Sequence, residues 1–166
     1  MRKRIFMLMA LALMVGASMA LSGVAQAASP KARCQQEAET LTGSILTGYN
    51  VVVGNNRKAD DFTLKGTEGA DVFCGRGGND FVRDLATPDI FIGGAGNDSV
   101  NFVDGIFYGG LGDDRVAASN LGTFNGGDGD DSVNFNFGFF DGGFGFDTIT
   151  ENRAAGTYSS VEVVGP

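Results

Sequence analysis

One glycine-rich frame returns five times between Gly75 and Ile149, and this periodicity restricts the fold more than any other feature of the chain. The frame reads Gly, Gly, any, Gly, any, Asp, any, apolar, and its copies start 18, 16, 17 and 16 residues apart. The copies are GRGGNDFV, GGAGNDSV, GGLGDDRV, GGDGDDSV and GGFGFDTI, and an earlier one, GTEGADVF, begins at Gly66. Glycine permits tight turns, and an apolar residue between two outward-facing ones is typical of a short strand. Alternating loops and short strands predict a flattened spiral.

Two apolar columns keep the same rhythm as the glycine-rich frame. An aromatic residue lies two places before each copy, and a β-branched residue ends each copy. The columns are Phe73, Phe91, Phe107, Phe124 and Phe140, and Val82, Val100, Val116, Val133 and Ile149. Because successive coils of such a spiral stack about 4.8 Å apart, the two columns are predicted to face each other across a thin core. A disordered glycine-rich linker, the rival interpretation, would not keep two apolar registers.

A row of aspartates occupies the sixth position of the frame and should stack along one edge of the spiral. Its members are Asp80, Asp98, Asp114, Asp131 and Asp147. Two unit charges about 5 Å apart repel by about 3 kcal/mol at an effective dielectric of 20, so a cation is expected between them. Carboxylates and backbone carbonyls suit calcium, which accepts oxygen ligands in flexible geometry, better than magnesium. The chain has no histidine for a transition metal. The alternative is that each aspartate only caps its own turn.

The frame resembles the nonapeptide repeat of the RTX, or haemolysin-type, calcium-binding family, and the resemblance covers Gly66 to Thr150. It implies an all-β fold, a parallel β-roll or right-handed β-solenoid. It also implies four Ca²⁺ ions on one edge, one between each pair of successive aspartates in the row. Besides the aspartates, the implied metal-binding residues are Gly75, Gly78, Gly93, Gly94, Gly96, Gly109, Gly110, Gly112, Gly126, Gly127, Gly129, Gly142, Gly143 and Gly145.

Two departures from the family pattern affect the expected sites. Arg76 replaces the second glycine of its copy and should weaken that loop, because a positive φ is expected there. The opposite edge offers Asp71 and Asp89, which could hold one further ion, but Thr87-Pro88 stands before Asp89 where a glycine followed by any residue is expected. The sequence therefore predicts a one-sided row of calcium ions.

The regions outside the repeats are expected to export and cap the spiral. Residues 1–27 combine Arg2, Lys3 and Arg4 with a short apolar stretch and small residues up to Ala27, which is typical of a cleaved signal peptide, an uncleaved membrane anchor being the alternative. Residues 28–63 are predicted to form an N-terminal cap, 64–150 the β-roll, and 151–166 a closing strand. A helix is possible at 35–41 and a strand at 49–53.

The cysteine count of an exported chain suggests one disulfide. Cys34 and Cys74 would join the cap to the start of the roll. Two buried free thiols, or a bond to another chain, are the alternatives.

Charge and composition restrict which partners and which kinds of catalytic centre the chain can have. Cleavage after Ala27 would leave 9 basic and 20 acidic residues, a formal net charge of −11, which disfavours nucleic acid and anionic lipid surfaces as partners. Without histidine no Ser/His/Asp or Cys/His centre can exist, so an enzyme is not expected. The sequence predicts a secreted, non-catalytic calcium-binding module with a structural, adhesive or surface-associated role and no membrane span after cleavage. The alternative is a recognition surface for ice or a polymer.

Overall fold

A computed structural model describes residues 28–55, 69–153 and 155–165. The segment interpreted as a signal peptide lies outside these residues, as does the start of the copy at Gly66. Within the described residues, no helix combines the length and the apolar character needed to cross a membrane.

The described chain is a β-solenoid of about six turns with a single short helix, so the predicted all-β roll is confirmed. A helix, α1 (Pro30–Thr42), comes first. The strands are β1 (Asn50–Val53), β2 (Asp71–Cys74), β3 (Phe81–Leu85), β4 (Ile90–Ala95), β5 (Ser99–Val103), β6 (Ile106–Leu111), β7 (Arg115–Asn120), β8 (Thr123–Asp128), β9 (Ser132–Asn136), β10 (Phe139–Phe144), β11 (Thr148–Asn152), β12 (Thr157–Ser159) and β13 (Val163–Val164).

The strands form two sheets, and from β2 onward successive strands alternate between them. The first sheet has the order β1-β2-β4-β6-β8-β10-β12, and the second has the order β13-β11-β9-β7-β5-β3. Neighbouring strands pair in parallel, one coil apart. The strand predicted near 49–53 is confirmed as β1, the edge of the first sheet. The C-terminal segment contributes one short strand to each sheet, β12 and β13, whereas a single strand was expected.

The core consists of the two predicted columns, which share one cluster of buried residues. The rings of Phe91, Phe107, Phe124 and Phe140 stack with centroid separations of 5.0, 4.6 and 4.9 Å. Val100, Val116 and Val133 lie in register on the second sheet and are fully buried. Burying each such side chain contributes about 1.5–3 kcal/mol, so the stacked columns give the roll a core that grows with each coil.

A third column lies at the C-terminal ends of the strands of the second sheet. Along the roll its residues change from apolar side chains to asparagines. Leu85 and Val103 are followed in register by Asn120, Asn136 and Asn152. The side-chain nitrogen of Asn120 donates to Oδ1 of Asn136 at 2.9 Å, and Asn136 donates in the same way to Asn152 at 3.0 Å. Their Nδ2 groups also donate to the carbonyls of Phe139 and Thr157. This asparagine ladder was missed by the sequence analysis, although each asparagine precedes a turn at a constant place.

Helix α1 packs on the outer face of the first sheet. Ser29 caps its N-terminus by accepting from the amide of Ala32, Pro30 opens the helix, and Gly43 ends it with a φ of 66°. Its buried face, Cys34 and Ala38, belongs to a second apolar cluster together with Ile90 and Ile92 of β4. Cys34 is bonded to Cys74 of β2, so the predicted disulfide is present. The helix thus covers a sheet face, and β1 occupies the end of the stack.

Candidate metal centre

The five aspartates of the repeat frame form a buried row along one edge of the roll. Each lies just before a strand of the second sheet and is at most 2% exposed. The backbone N–H of each aspartate donates to Oδ1 of the next, coil after coil. The N···O distances are 2.6 Å for Asp80 to Asp98, 2.7 Å for Asp98 to Asp114, 2.7 Å for Asp114 to Asp131, and 2.8 Å for Asp131 to Asp147. One oxygen of each receiving carboxylate therefore holds the coils in register.

In the last four aspartates of the row, the second carboxylate oxygen has no hydrogen-bond partner. Oδ2 is buried and accepts no hydrogen bond in Asp98, Asp114, Asp131 and Asp147. A buried polar atom without a hydrogen bond costs about 1–3 kcal/mol, and more where it carries charge. Repeating this cost in four successive coils is the arrangement expected of oxygens that bind a cation.

The first glycine of each loop borders the space into which that oxygen points. At Gly93 a Cβ would lie less than 3.0 Å from both Oδ2 of Asp98 and the carbonyl oxygen of Gly109 in the next coil. A carboxylate oxygen and a carbonyl oxygen of adjacent coils thus approach one point that a side chain would fill. This pocket of oxygens is compatible with calcium, which takes carboxylates and carbonyls in flexible geometry.

The second and fourth loop positions require left-handed backbone. Gly94 and Gly96 have φ values of 108° and 128°, and the equivalent glycines of the later loops share this conformation. Arg76 stands at the second position of the first loop with a φ of 79°. The positive φ expected at this position is therefore confirmed, and arginine adopts it at a cost that glycine would not incur.

Residues at the fifth loop position form a second set of hydrogen bonds between coils, in which the amide of the later coil donates to the side chain of the earlier one. The amide of Asn97 donates to Oδ1 of Asn79 at 3.0 Å, and that of Asp113 donates to Oδ1 of Asn97 at 3.2 Å. Asp130 and Phe146 continue the series on the side chains of Asp113 and Asp130. The four later loops are therefore tied to the coil before them through the fifth position, and the sixth position ties each loop to the coil after it.

Burial makes the row carboxylates hard to ionise. Loss of hydration raises the pKa of Asp98 to about 7, that of Asp114 to about 8 and that of Asp131 to about 7, although the hydrogen bonds that these carboxylates accept from backbone N–H groups oppose the shift. The neighbouring aspartate charges raise these pKa values further. At neutral pH an ionised carboxylate in this row is therefore unfavourable, and binding of a proton or a metal ion would remove that cost.

A pH dependence follows for the metal-free protein. Because these pKa values lie above that of an unfolded aspartate, the folded chain retains protons that the unfolded chain releases between about pH 4 and about pH 8. The urea midpoint measured in chelator should therefore fall as the pH rises from 5 to 8. In saturating calcium this fall should be reduced or reversed, since the ion displaces those protons. A midpoint that rises with pH in chelator would contradict the assignment.

The opposite edge carries a much shorter set of carboxylates. The amide of Asp71 donates to Oδ1 of Asp89 at 3.0 Å, and Asn50 donates through Nδ2 to Oδ1 of Asp71 at 2.9 Å. Burial raises the pKa of Asp89, and the charge of Asp71 adds to the effect. Gly105 follows Asp89 in the next coil, just before β6, and Gly122 and Gly138 lie in the same place before β8 and β10. The described carboxylates of this column thus end at Asp89.

The described residues contain no group of three or more carboxylate, cysteine or histidine side chains that could hold an ion. The row is a succession of carboxylate pairs, so an ion between two coils would also need carbonyl oxygens of the glycine loops. This donor set of carboxylates and carbonyls is that of a hard cation.

The first glycine-rich loops match a known family of repeats. The family model described as the RTX calcium-binding nonapeptide repeat (4 copies) matches residues 63–82 and 75–105. No curated protein and no solved structure is significantly similar to the chain. The matched residues include the loops that end at Asp80 and Asp98, and the later loops repeat the same frame.

Proposed function

Since the repeats of this chain belong to the RTX calcium-binding nonapeptide family, we propose that the protein is a calcium-binding β-roll that folds when its ions bind. Four ions would lie between successive members of the row that runs from Asp80 to Asp147. The inner three, Asp98, Asp114 and Asp131, would each serve two ions. Carbonyls of the loop glycines would supply the remaining protein ligands.

The observation that carries this proposal is the set of buried Oδ2 atoms without a hydrogen bond, in Asp98, Asp114, Asp131 and Asp147. A row of plain turn-capping aspartates would satisfy these oxygens with backbone amides of their own loops. Here the amides bond to Oδ1 of the next coil instead, which leaves Oδ2 for another partner.

The mechanism we propose is coupled binding and folding. Without an ion, the row places partly ionised carboxylates side by side in a buried edge. The loops also hold many glycines, whose ordering carries a large entropy cost. Calcium would neutralise the row and bridge the coils, so that its binding energy becomes folding energy. Calcium modules of extracellular proteins bind at about 10⁻⁴–10⁻³ M, which would keep such sites filled outside a cell and empty within one.

We further propose that the protein is secreted and acts without catalysis, as a structural, adhesive or surface-associated module. The basic and apolar segment at residues 1–27 supports export. The Cys34–Cys74 disulfide supports an oxidising compartment. On this proposal residues 28–63 cap the roll, 64–150 bind calcium, and 151–166 close it.

Far-UV circular dichroism during a calcium titration tests the coupling. Protein expressed from the full chain would be stripped with chelator and titrated with Ca²⁺, with Mg²⁺ at equal ionic strength as the control. We expect a cooperative gain of β signal with calcium alone. Equilibrium dialysis should find about four ions on the row, and variants of Asp89 would count the opposite edge separately. A full β spectrum in chelator, with no bound calcium, would refute the proposal.

A further inference from the structure

The carboxylate row continues one coil beyond the last repeat, through a glutamate outside the repeat frame. The amide of Asp147 donates to Oε2 of Glu162 at 2.6 Å, as the amide of Asp131 donates to Oδ1 of Asp147 at 2.8 Å. The amide of Glu162 donates back to the carbonyl of Asp147 at 3.0 Å. Thr148 pairs with Val163 in the second sheet, which places Glu162 beside Asp147. Glu162 therefore takes the place that the next aspartate of the row would occupy.

The carbonyl of Ser160 takes the place of a loop glycine carbonyl. A Cβ at Gly126 would lie less than 3.0 Å from both Oδ2 of Asp131 and the carbonyl oxygen of Gly142. At Gly142 the corresponding two atoms are Oδ2 of Asp147 and the carbonyl oxygen of Ser160, again less than 3.0 Å away. The geometry around the first glycine is thus the same in the last loop as in the loop before it.

Asp147 supplies an independent indication of a ligand. It is 0% exposed, and its Oδ2 accepts no hydrogen bond, while the carbonyl oxygen of Ser160 approaches the same point beside Gly142. A cation at this point would meet two carboxylates and one carbonyl.

We propose that Asp147, Glu162 and the carbonyl oxygen of Ser160 form a terminal calcium site in addition to those between the repeats. The proposal rests on the proposed function, because it assumes that the row binds calcium. The turn from Ser160 to Glu162 is three residues long, whereas the loop from Gly142 to Asp147 has six. The terminal ion therefore has fewer carbonyl ligands and keeps more water, so its site is the weakest of the edge.

The consequence of this site is that calcium fastens the C-terminal segment to the last coil. The strands β12 and β13 have three and two residues, too few to hold by pairing alone. The amides of Glu162, Val163 and Gly165 donate to carbonyls of Asp147 and Ile149. With the terminal ion in place these bonds persist, and the end of the roll is closed. Without it the segment opens while the inner coils remain folded.

The variant Glu162→Gln tests the site, with Glu37→Gln as its matched control. Glutamine keeps the oxygen that accepts from the amide of Asp147 but removes the charge that the ion needs. Glu37 is exposed on α1, far along the chain from the row, and its replacement removes the same charge. Equilibrium dialysis on protein from the full chain should find one ion fewer in Glu162→Gln than in wild type, with the weakest binding phase lost. Glu37→Gln should bind as wild type does.

The outcomes separate this inference from the function on which it rests. If wild type binds about four or more ions and Glu162→Gln binds the same number with the same affinities, the terminal site is wrong and the calcium row stands. If wild type binds none, both proposals fail.

Amide hydrogen exchange of wild type gives a second reading, which applies even if Glu162→Gln does not fold. Protection at Glu162, Val163 and Gly165 should rise at least tenfold in the weakest calcium phase, after protection at Thr148 has risen. Protection that appears at all four amides in one phase would overturn the terminal site.

Discussion

Transfer of the folded protein from 10 mM calcium to chelator is expected to remove about 6–11 kcal/mol of stability. A ligand that binds only the folded state stabilises it by RT ln(1 + [L]/Kd) at each site. For four sites of the row, with a Kd of about 10⁻⁴–10⁻³ M as in other extracellular modules, each ion contributes about 1.4–2.7 kcal/mol. The sum is comparable to the whole stability of an ordinary domain, about 5–15 kcal/mol. The chelated chain should therefore be only marginally stable at neutral pH, with a large unfolded fraction.

Differential scanning calorimetry checks this expectation. In calcium the melting temperature should exceed that in chelator by at least about 15 °C, and magnesium at the same ionic strength should restore only a small part of the difference. If calcium acted only by general screening of charge, magnesium or added salt would raise the melting temperature equally. Equal melting temperatures in calcium and chelator would mean that the phenylalanine and valine columns hold the roll without ions.

The second large effect is a reversal of sign at Asp114, in the middle of the row. In calcium, Asp114→Asn should lower the free energy of unfolding by about 2 kcal/mol, because loss of the two ions that share this carboxylate removes about 3–5 kcal/mol and the greater stability of the ion-free variant offsets about 1–3 kcal/mol of it. In chelator the same variant should be more stable than wild type by about 1–3 kcal/mol, since it replaces a carboxyl that burial makes costly to ionise by a neutral amide. Oδ1 of the asparagine can still accept from the amide of Asp98.

Urea unfolding of Asp114→Asn in both solutions measures this reversal, with Asp84→Asn as the control. Asp84 is exposed on β3 and outside the row, and its replacement removes the same charge. Its effect should be small and of equal sign in calcium and in chelator. Destabilisation by Asp114→Asn in chelator as well would show that the carboxylate serves the fold directly, without an ion.

The periodic part of the structure was predictable because it is encoded within each coil. The spacing of Phe91 from Phe107, and of Asp98 from Asp114, is one coil length, so stacking brings like residues together whatever surrounds them. A frame that repeats fixes its own register, since a slip by one residue would expose the apolar column. Reading the row and both columns therefore required no knowledge of distant contacts.

The parts that were missed depend on contacts between segments far apart in the chain. The position of α1 is set by Ile90 and Ile92, more than 45 residues away, and by the disulfide. Ile90 and Ile92 lie outside the repeat frame, so the periodicity does not show what covers them. Glu162 lies 15 residues after Asp147, one fewer than the shortest coil of the row, and it has no glycine loop before it and so no motif. Its place is visible only from the pairing of β11 with β13.

The asparagine ladder gives the roll two long sides with different mechanics. On one side the coils are joined through carboxylates that need a cation. On the other, Asn120, Asn136 and Asn152 are joined by neutral amides, whose bonds are independent of calcium and of pH. A force that pulls neighbouring coils apart would separate the carboxylate side first when the ions are removed, and the amide side would act as a hinge. The same force in calcium would meet resistance on both sides, so the stiffness of the protein would depend on the medium around it.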